Sequence, residues 1–450
     1  MPPLAASPDA MQHGGRHLGG RGRAARVDHR FHGHGFMSWK PAAVCSRVLF
    51  VYFTHVEQAY FALSPDGRHF ESLNAGQPIP ELRTQAPHTL RDPFLNLAED
   101  GVYHLVSTDG HGSGGPSTGS TVNVLHWTSR DLVTWSAQEV LPVMAKYRNE
   151  SKNLWAPEWV YHRESGRYLL FWATSWHDTD CTTNRHFDRA CTNRNCGRFA
   201  FWGSWTADWK EWSDPVPVFD PDCMSDWYAP WLYGDGGIDG HIYFRPAGQQ
   251  QQQRQQKDAK GGRLAAWEGA ESASAAAGSA EEAAGGGADD EGGGGEGASG
   301  AGGQYHFFFK STRAPAPGMA QEQKTSGTRI SQSGTGPDAL LQWSPVTAEG
   351  LASAWGSEGP ELLDVNGTLH QYYDCTFQPA VPGWPRPPYG VSVATSPAAG
   401  MTDPAAWNEV PGSCRGNGTG SLVNFPSDAT HGGFICVSDA TAAAMRLKWP

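Results

Sequence analysis

The sequence predicts an all-β fold: a five-bladed β-propeller of four-stranded antiparallel sheets, its ring closed by N- and C-terminal strands. Three observations carry that reading. Charged residues are only 18% of the 450, while Gly numbers 55, Pro 32 and Trp 19; this mixture suits short strands and turns and disfavours a helical bundle. A strand, a Ser or Thr, a short turn and an aromatic recur in five places along the chain. Apolar hairpins carrying turn signals lie between those copies. A hairpin followed by a strand-turn-strand makes a four-stranded sheet, and radial repetition of such sheets leaves few exposed edges.

The elements follow in chain order. Residues 1–45 are rich in Gly, Arg and His with no apolar periodicity, and read as a disordered tail ahead of a single domain over 46–450. VLFVYFT at 48–54 and FALSPDGRHF at 61–70 supply strands without a full hairpin ahead of them. RDPFLNLAEDGVYHLVST then precedes HWTSRDLVTW, and LWAPEWVYHRESGRYLLFWATS precedes SWTADWKEW. IDGHIYFR pairs with QYHFFFKST, ahead of LLQWSPVTAEGLASAW at 340–355. The turn between those two strands is interrupted by residues 247–303, a low-complexity run of Gln, Ala, Gly and Glu with nine acids against four bases. That segment cannot bury a core and loops out at a modest closure cost. EGPELLDVNGTLHQYYDCT precedes the last copy, VSVATSPAAGMTDPAAW, and HGGFICVS near the end supplies the inner strand that the first blade lacks. The two chain ends then share one blade.

Composition also excludes functions. No apolar run is long enough to span a membrane, and a net charge of -12 with a pI near 5.8 argues against a nucleic-acid binder. The Gly-rich STDGHGSGGPSTGS at 107–120 has no P-loop Lys, and no G-x-S-x-G elbow occurs. Cys181, Cys191, Cys196 and Cys223 surround one polar insertion; disulfides are the preferred reading there, over a metal knuckle using His177 or His186. Sequons at Asn149, Asn366 and Asn417 and the cysteines favour a secreted protein, although no apolar signal core stands at the N-terminus, so localisation stays open. The expected oligomeric state is a monomer.

The inner strands should line the axis, and each opens near a polar residue: Asp92 in LRDPF, Glu158 in WAPEW, Asp239 in GIDGH, Glu358 in SEGPEL and His431 in THGGF. Carboxylates gathered in one cleft repel one another, which raises some pKa values and leaves others ionised. That split is what a general acid and a general base need. Trp127, Trp155 and Trp159 are candidates to stack on sugar faces, although most tryptophans should be blade core.

LRDPF, NLWAPEWVY and SEGPELLDVNGTLHQYYD, in order and at blade spacing, resemble glycoside hydrolase family 43 over about residues 48–436. The resemblance implies a five-bladed propeller acting on arabinose-, xylose- or galactose-containing glycans, with an oligo- or polysaccharide as partner. It implies Asp92 as base, Glu358 as acid and Asp239 as pKa modulator. Gly240 follows Asp239 where the family shows Ala or Pro, so Asp226 is a rival for the third role. Arg91, Trp155 and Glu158 are candidate substrate-binding residues. His431 is a candidate axial ligand to calcium or water, or else a buried hydrogen-bonded histidine; no organic cofactor is implied. Inversion requires base and acid carboxyls about 6.5–9.5 Å apart. The alternative is a non-catalytic glycan-binding propeller with a degenerate site.

Overall fold

The computed structural model describes residues 45–110, 121–151, 153–175, 199–219, 237–246, 303–311, 328–332, 339–343, 357–375, 389–401, 403–414 and 421–450. The proposed tail over 1–45 (save Cys45), the insertion 247–303 (save Gly303), the four-cysteine segment, Asp226 and Asn417 lie outside them.

The strands run in groups along the chain. The first group is β1 (Arg47–Phe53), β2 (Tyr60–Ser64) and β3 (Glu71–Ser72). The second is β4 (Leu90–Leu97), β5 (Tyr103–Asp109), β6 (Val124–Ser129) and β7 (Glu139–Leu141). The third is β8 (Trp155–His162), β9 (Arg167–Thr174), β10 (Ala200–Thr206) and β11 (Val216–Phe219). The fourth has β12 (Gly237–Arg245), β13 (Gln304–Ser311) and β14 (Thr328–Gln332). The fifth has β15 (Glu358–Val365), β16 (Thr368–Asp374), β17 (Tyr389–Ala394) and β18 (Trp407–Glu409). Last comes β19 (Thr430–Val437), which pairs antiparallel with β1 from Arg47↔Val437 to Phe53↔Thr430. Each group is a sheet with its first strand at one edge, and β19 takes that place beside β1. The result is an all-β propeller-like arrangement with four four-stranded blades and, among the described residues, one sheet of three strands.

The first-position strands meet one another: β19 packs on β4, β4 on β8, β8 on β12, β12 on β15, and β15 on β19. Between successive sheets lies a layer of buried side chains. Leu95, Leu105 and Trp127 meet Leu49 and Phe61; Trp159, Trp172 and Trp202 meet Phe94 and Val106. Phe171 and Phe201 meet Phe307 and Phe309. Tyr372 stacks on Phe434 at 3.8 Å and Phe434 on Phe50 at 4.2 Å, which joins the last sheet to the first. Alternation along each strand sends aromatics to both faces, so nearly every sheet is apolar on both sides.

The recurring Ser/Thr turn has a clear physical basis. Ser64 Oγ accepts the N–H groups of Asp66 and Gly67, and Asp66 Oδ1 accepts those of Arg68 and His69. Ser129 with Asp131, and Thr206 with Asp208, repeat the same bonds. Short oxygen-bearing side chains thus satisfy the donors that the strand leaves behind.

Three features differ from the sequence reading. The third strand of the fourth sheet is β14, not the segment at 340–355, whose described part is a short 3-10 turn (Ala339–Leu341) that buries Leu340 and Trp343. A C-terminal helix, α1 (Asp439–Lys448), succeeds β19; Ser438 caps it by accepting from Thr441 N–H. Two disulfides occur at unforeseen places, Cys45–Cys436 and Cys375–Cys414. Among the described residues no helix is long and apolar enough to cross a membrane. Asn366 is exposed in the β15–β16 turn, where its side chain bonds both the N–H and the carbonyl of Cys45.

Candidate active site

Every first-position strand carries one extra residue where it passes its neighbour. The register shifts between Arg91 and Phe94 in β4, Trp155 and Glu158 in β8, Ile238 and His241 in β12, and Glu358 and Glu361 in β15. In β19 the shift falls around His431, opposite Tyr52 and Phe53. Asp92, Ala156, Asp239 and Gly359 therefore occupy one equivalent position, with φ of 47°, 44°, 51° and 58°. A bulge of this kind turns a side chain away from the ladder and re-aims it. Asp tolerates the left-handed region better than most residues, and Gly without penalty.

The bulge corrects the register expected from the motifs. Asp92, Asp239 and His431 are equivalent and converge: His431 Nδ1 lies 3.5 Å from Asp92 Oδ1 and 3.9 Å from Asp239 Oδ1. Glu358 stands one position before the bulge, yet its neighbour Gly359 donates its N–H to Asp239 Oδ2 at 3.3 Å. Gly359 presses so closely on the imidazole of His431 that an added Cβ would lie 2.5 Å from Cδ2 and 2.8 Å from Nε2. Glu158 falls two positions past the bulge and joins a different group.

Lys310, from β13 and buried, forms an ion pair with Glu358 Oε2. Thr108 in β5 donates its hydroxyl to Asp92 Oδ2 at 2.8 Å and accepts the N–H of Ala156, so one side chain ties the bulges of β4 and β8 together. Backbone anchors hold β19 as well: His431 N–H donates to Asp374 Oδ2 and Gly432 N–H to the Tyr389 hydroxyl.

These neighbours set the charges. Burial works against an ionised Asp92, but the bond and charge of His431, the charge of Arg91 and the Thr108 hydroxyl outweigh it and hold its pKa below the ordinary value. Burial raises Asp239 to about 6, helped by the negative charges of Glu358 and Asp92 against the opposing pull of His431 and Lys310. Burial also opposes the His431 imidazolium, yet the Asp92 bond and the Asp239 charge push it up to about 10. The cluster thus contains one firmly ionised carboxylate and one that takes up a proton more readily.

The second group comprises Glu158, His241 and Glu361. His241 Nδ1 is 2.9 Å from Glu158 Oε2 and 3.1 Å from Glu361 Oε2. Burial and the charge of Glu361 raise Glu158 well above the usual carboxylate range; burial opposes charge on His241, but the two carboxylates push it up to about 10. Sequence reasoning misses His241 and Glu361, although both stand inside the motifs. Writing the strands as RDPF, WAPE, IDGH, EGPE and THGG aligns Phe94, Glu158, His241, Glu361 and Gly433 in the fourth column, and that alignment is the signal that finds them.

Of the other candidates, Arg91 is partly exposed and places its guanidinium 5.4 Å from the Phe53 ring. Trp155 is partly exposed and stacks on Phe199 at 4.9 Å. Trp127 and Trp159 are 1% and 2% exposed, so both are core and neither offers a face to a sugar. His431 directs Nδ1 at two carboxylates and packs the rest of its ring on Gly359.

Residues 45–223 match the family model of a probable glycosyl hydrolase domain related to family 43. No curated protein sequence matches the chain. Solved structures similar to it include a thermostable family-43 glycoside hydrolase, at 13% identity over 78% of this chain and 80% of that one, with a TM-score of 0.40. An exo-β-1,3-galactanase from Clostridium thermocellum is 12% identical over 78% of this chain and 52% of its own, with a TM-score of 0.37. An α-L-arabinofuranosidase from Lactobacillus brevis is 12% identical over 71% and 72%, with a TM-score of 0.36.

Proposed function

We propose that this family-43-like chain is a glycoside hydrolase that cleaves arabinose-, xylose- or galactose-containing glycans by single displacement with inversion. The observation that carries the reading is the meeting of Asp92 and Asp239 on His431, beside Gly359 and Glu358, with opposite proton affinities in the two aspartates. Asp92, kept ionised, takes a proton from water as the water oxygen attacks the anomeric carbon. Glu358 gives its proton to the departing glycosidic oxygen as that carbon–oxygen bond breaks. Asp239, which accepts the Gly359 N–H at the start of β15, holds the neighbouring Glu358 protonated and oriented. Arg91 and Trp155 bind sugar at the rim. We read the three-stranded sheet as the remaining blade of a five-membered ring that β1 and β19 close. The paired cysteines fit an oxidising, extracellular compartment.

One observation favours a second reading. Lys310 seated on Glu358 ties up the acid, as a propeller that binds glycans without cleaving them would allow. Hydrolysis of aryl arabinofuranosides, xylosides and galactosides separates the two. Turnover that falls by about 10²-fold or more in Glu358→Gln supports the enzyme. Glycan binding without turnover supports the binding protein, and turnover unaffected by Glu358→Gln removes the assigned acid.

A further inference from the structure

We propose that Glu158, His241 and Glu361 form a divalent-cation site that ties the inner strands of three sheets together. The three residues hold one equivalent register position, the first paired residue after the bulge, on β8, β12 and β15. All are buried, at 4%, 6% and 2% exposure. One ligand atom from each lies within 4.8 Å of the other two. Bonds of about 2.0–2.2 Å to a single ion set its ligands about 3 Å apart, and the two His241 distances, 2.9 and 3.1 Å, match that spacing.

The arrangement fits a pure hydrogen-bond network less well. A single Nδ1–H directs a good bond at one acceptor, whereas here it faces two carboxylates. Among the described residues no Lys or Arg pairs with either glutamate, so an imidazolium at His241 offsets only one of two carboxylates buried side by side. An ion of charge two balances both.

The donor set also selects the ion. Two carboxylate oxygens and one imidazole nitrogen, with no thiolate, suit Mn²⁺ or Zn²⁺, whereas calcium favours a shell of oxygens alone. The remaining places at this level are filled by Phe94 and Gly433, and the Phe94 ring lies 6.2 Å from the His241 ring. The role is therefore structural, joining the third, fourth and fifth sheets where they meet. None of the three ligands is assigned to bond cleavage, so the site stands whether or not the chain hydrolyses glycans.

Metal analysis of the full chain, prepared without chelator and after loading with Mn²⁺, Co²⁺ or Zn²⁺, tests the site together with thermal unfolding. One tightly held ion per chain is expected, with a Tm raised by several degrees over the chelator-treated protein. Glu361→Gln and His241→Gln should each lose that ion and the metal-dependent rise. Equal metal in the wild type and both variants would place it on other groups, the His-rich N-terminal segment included, and overturn the proposal. If the variants do not fold, the wild type alone decides: no stoichiometric uptake and no change in Tm with any of the three ions also overturns it.

Discussion

Asp92 and Asp239 occupy the same bulge on two inner strands, share nearly the same φ and face the same histidine, yet they hold protons in opposite ways. Backbone position therefore does not decide the chemistry. Asp92 has the closer approach of His431, the charge of Arg91 and a hydroxyl from Thr108. Asp239 has a single backbone N–H at 3.3 Å and two acidic neighbours. A repeated fold delivers equivalent positions, and the residues around each position make them differ.

Replacing the aspartates in turn gives the largest expected effect. Asp92→Asn removes the proposed base, and kcat on an aryl glycoside should fall by about 10²–10⁴-fold. Asp239→Asn, which leaves base and acid in place, should cost less. Equal losses from the two would dissolve the distinction.

His431→Gln attacks the partner they share. Removing the cation raises the proton affinity of Asp92, so the acidic limb of the pH–rate profile should move to higher pH. Loss of alignment should lower the maximum by about 10²-fold. An unmoved acidic limb would show that His431 does not hold Asp92 ionised.

Stability against pH sharpens the comparison further. Asp239, raised to about 6 from 3.8, contributes stability that is full below about pH 4 and lost as pH rises through about 6. That swing is of the order of 3 kcal/mol, and Asp239→Asn should abolish it, flattening Tm between about pH 4 and 7. Asp92, depressed, contributes stability above about pH 4 that is lost as pH falls through its lowered pKa, so Asp92→Asn should flatten the acid side instead. Thermal unfolding across pH 2–8 of both variants checks the two signs.

The smallest effect is expected from Thr108→Val. It deletes one hydrogen bond to a charged acceptor and leaves Ala156 N–H unsatisfied, a loss of about 1–3 kcal/mol in stability. Activity should drop by less than tenfold, with a modest rise of the acidic limb. A fall as deep as that of Asp92→Asn would mean that Thr108 itself touches the reacting water.

Much of the fold is legible in the sequence because it is written as periodicity. Alternating apolar runs and the Ser/Thr–Asp turn mark the strands and their order, and hairpin signals place β12 against β13 across a long interruption. Asp92 and Asp239 are legible for the same reason. Glu158 stands past the bulge and Glu358 one position before it, so neither shares the place of Asp92 and Asp239, and only the recurrent Pro93, Pro157, Gly240, Pro360 and Gly432 hint at the added residue. Lys310 leaves no signal, since a lysine near a strand end is ordinary until the strand across from it is known. Helix α1 escapes a reading tuned to strands, although Ser438, Asp439 and the run of alanines announce a capped start.

The bond between Cys45 and Cys436 spans 391 positions of the sequence, which makes almost all of the described fold a covalent circle. A single nick in any surface loop within that circle opens it into a line and releases nothing. Protease scars on this protein would then stay hidden in a non-reducing gel and appear only once thiol is added. The two pieces of a chain cut once within the circle would stay one molecule for as long as that bond is kept.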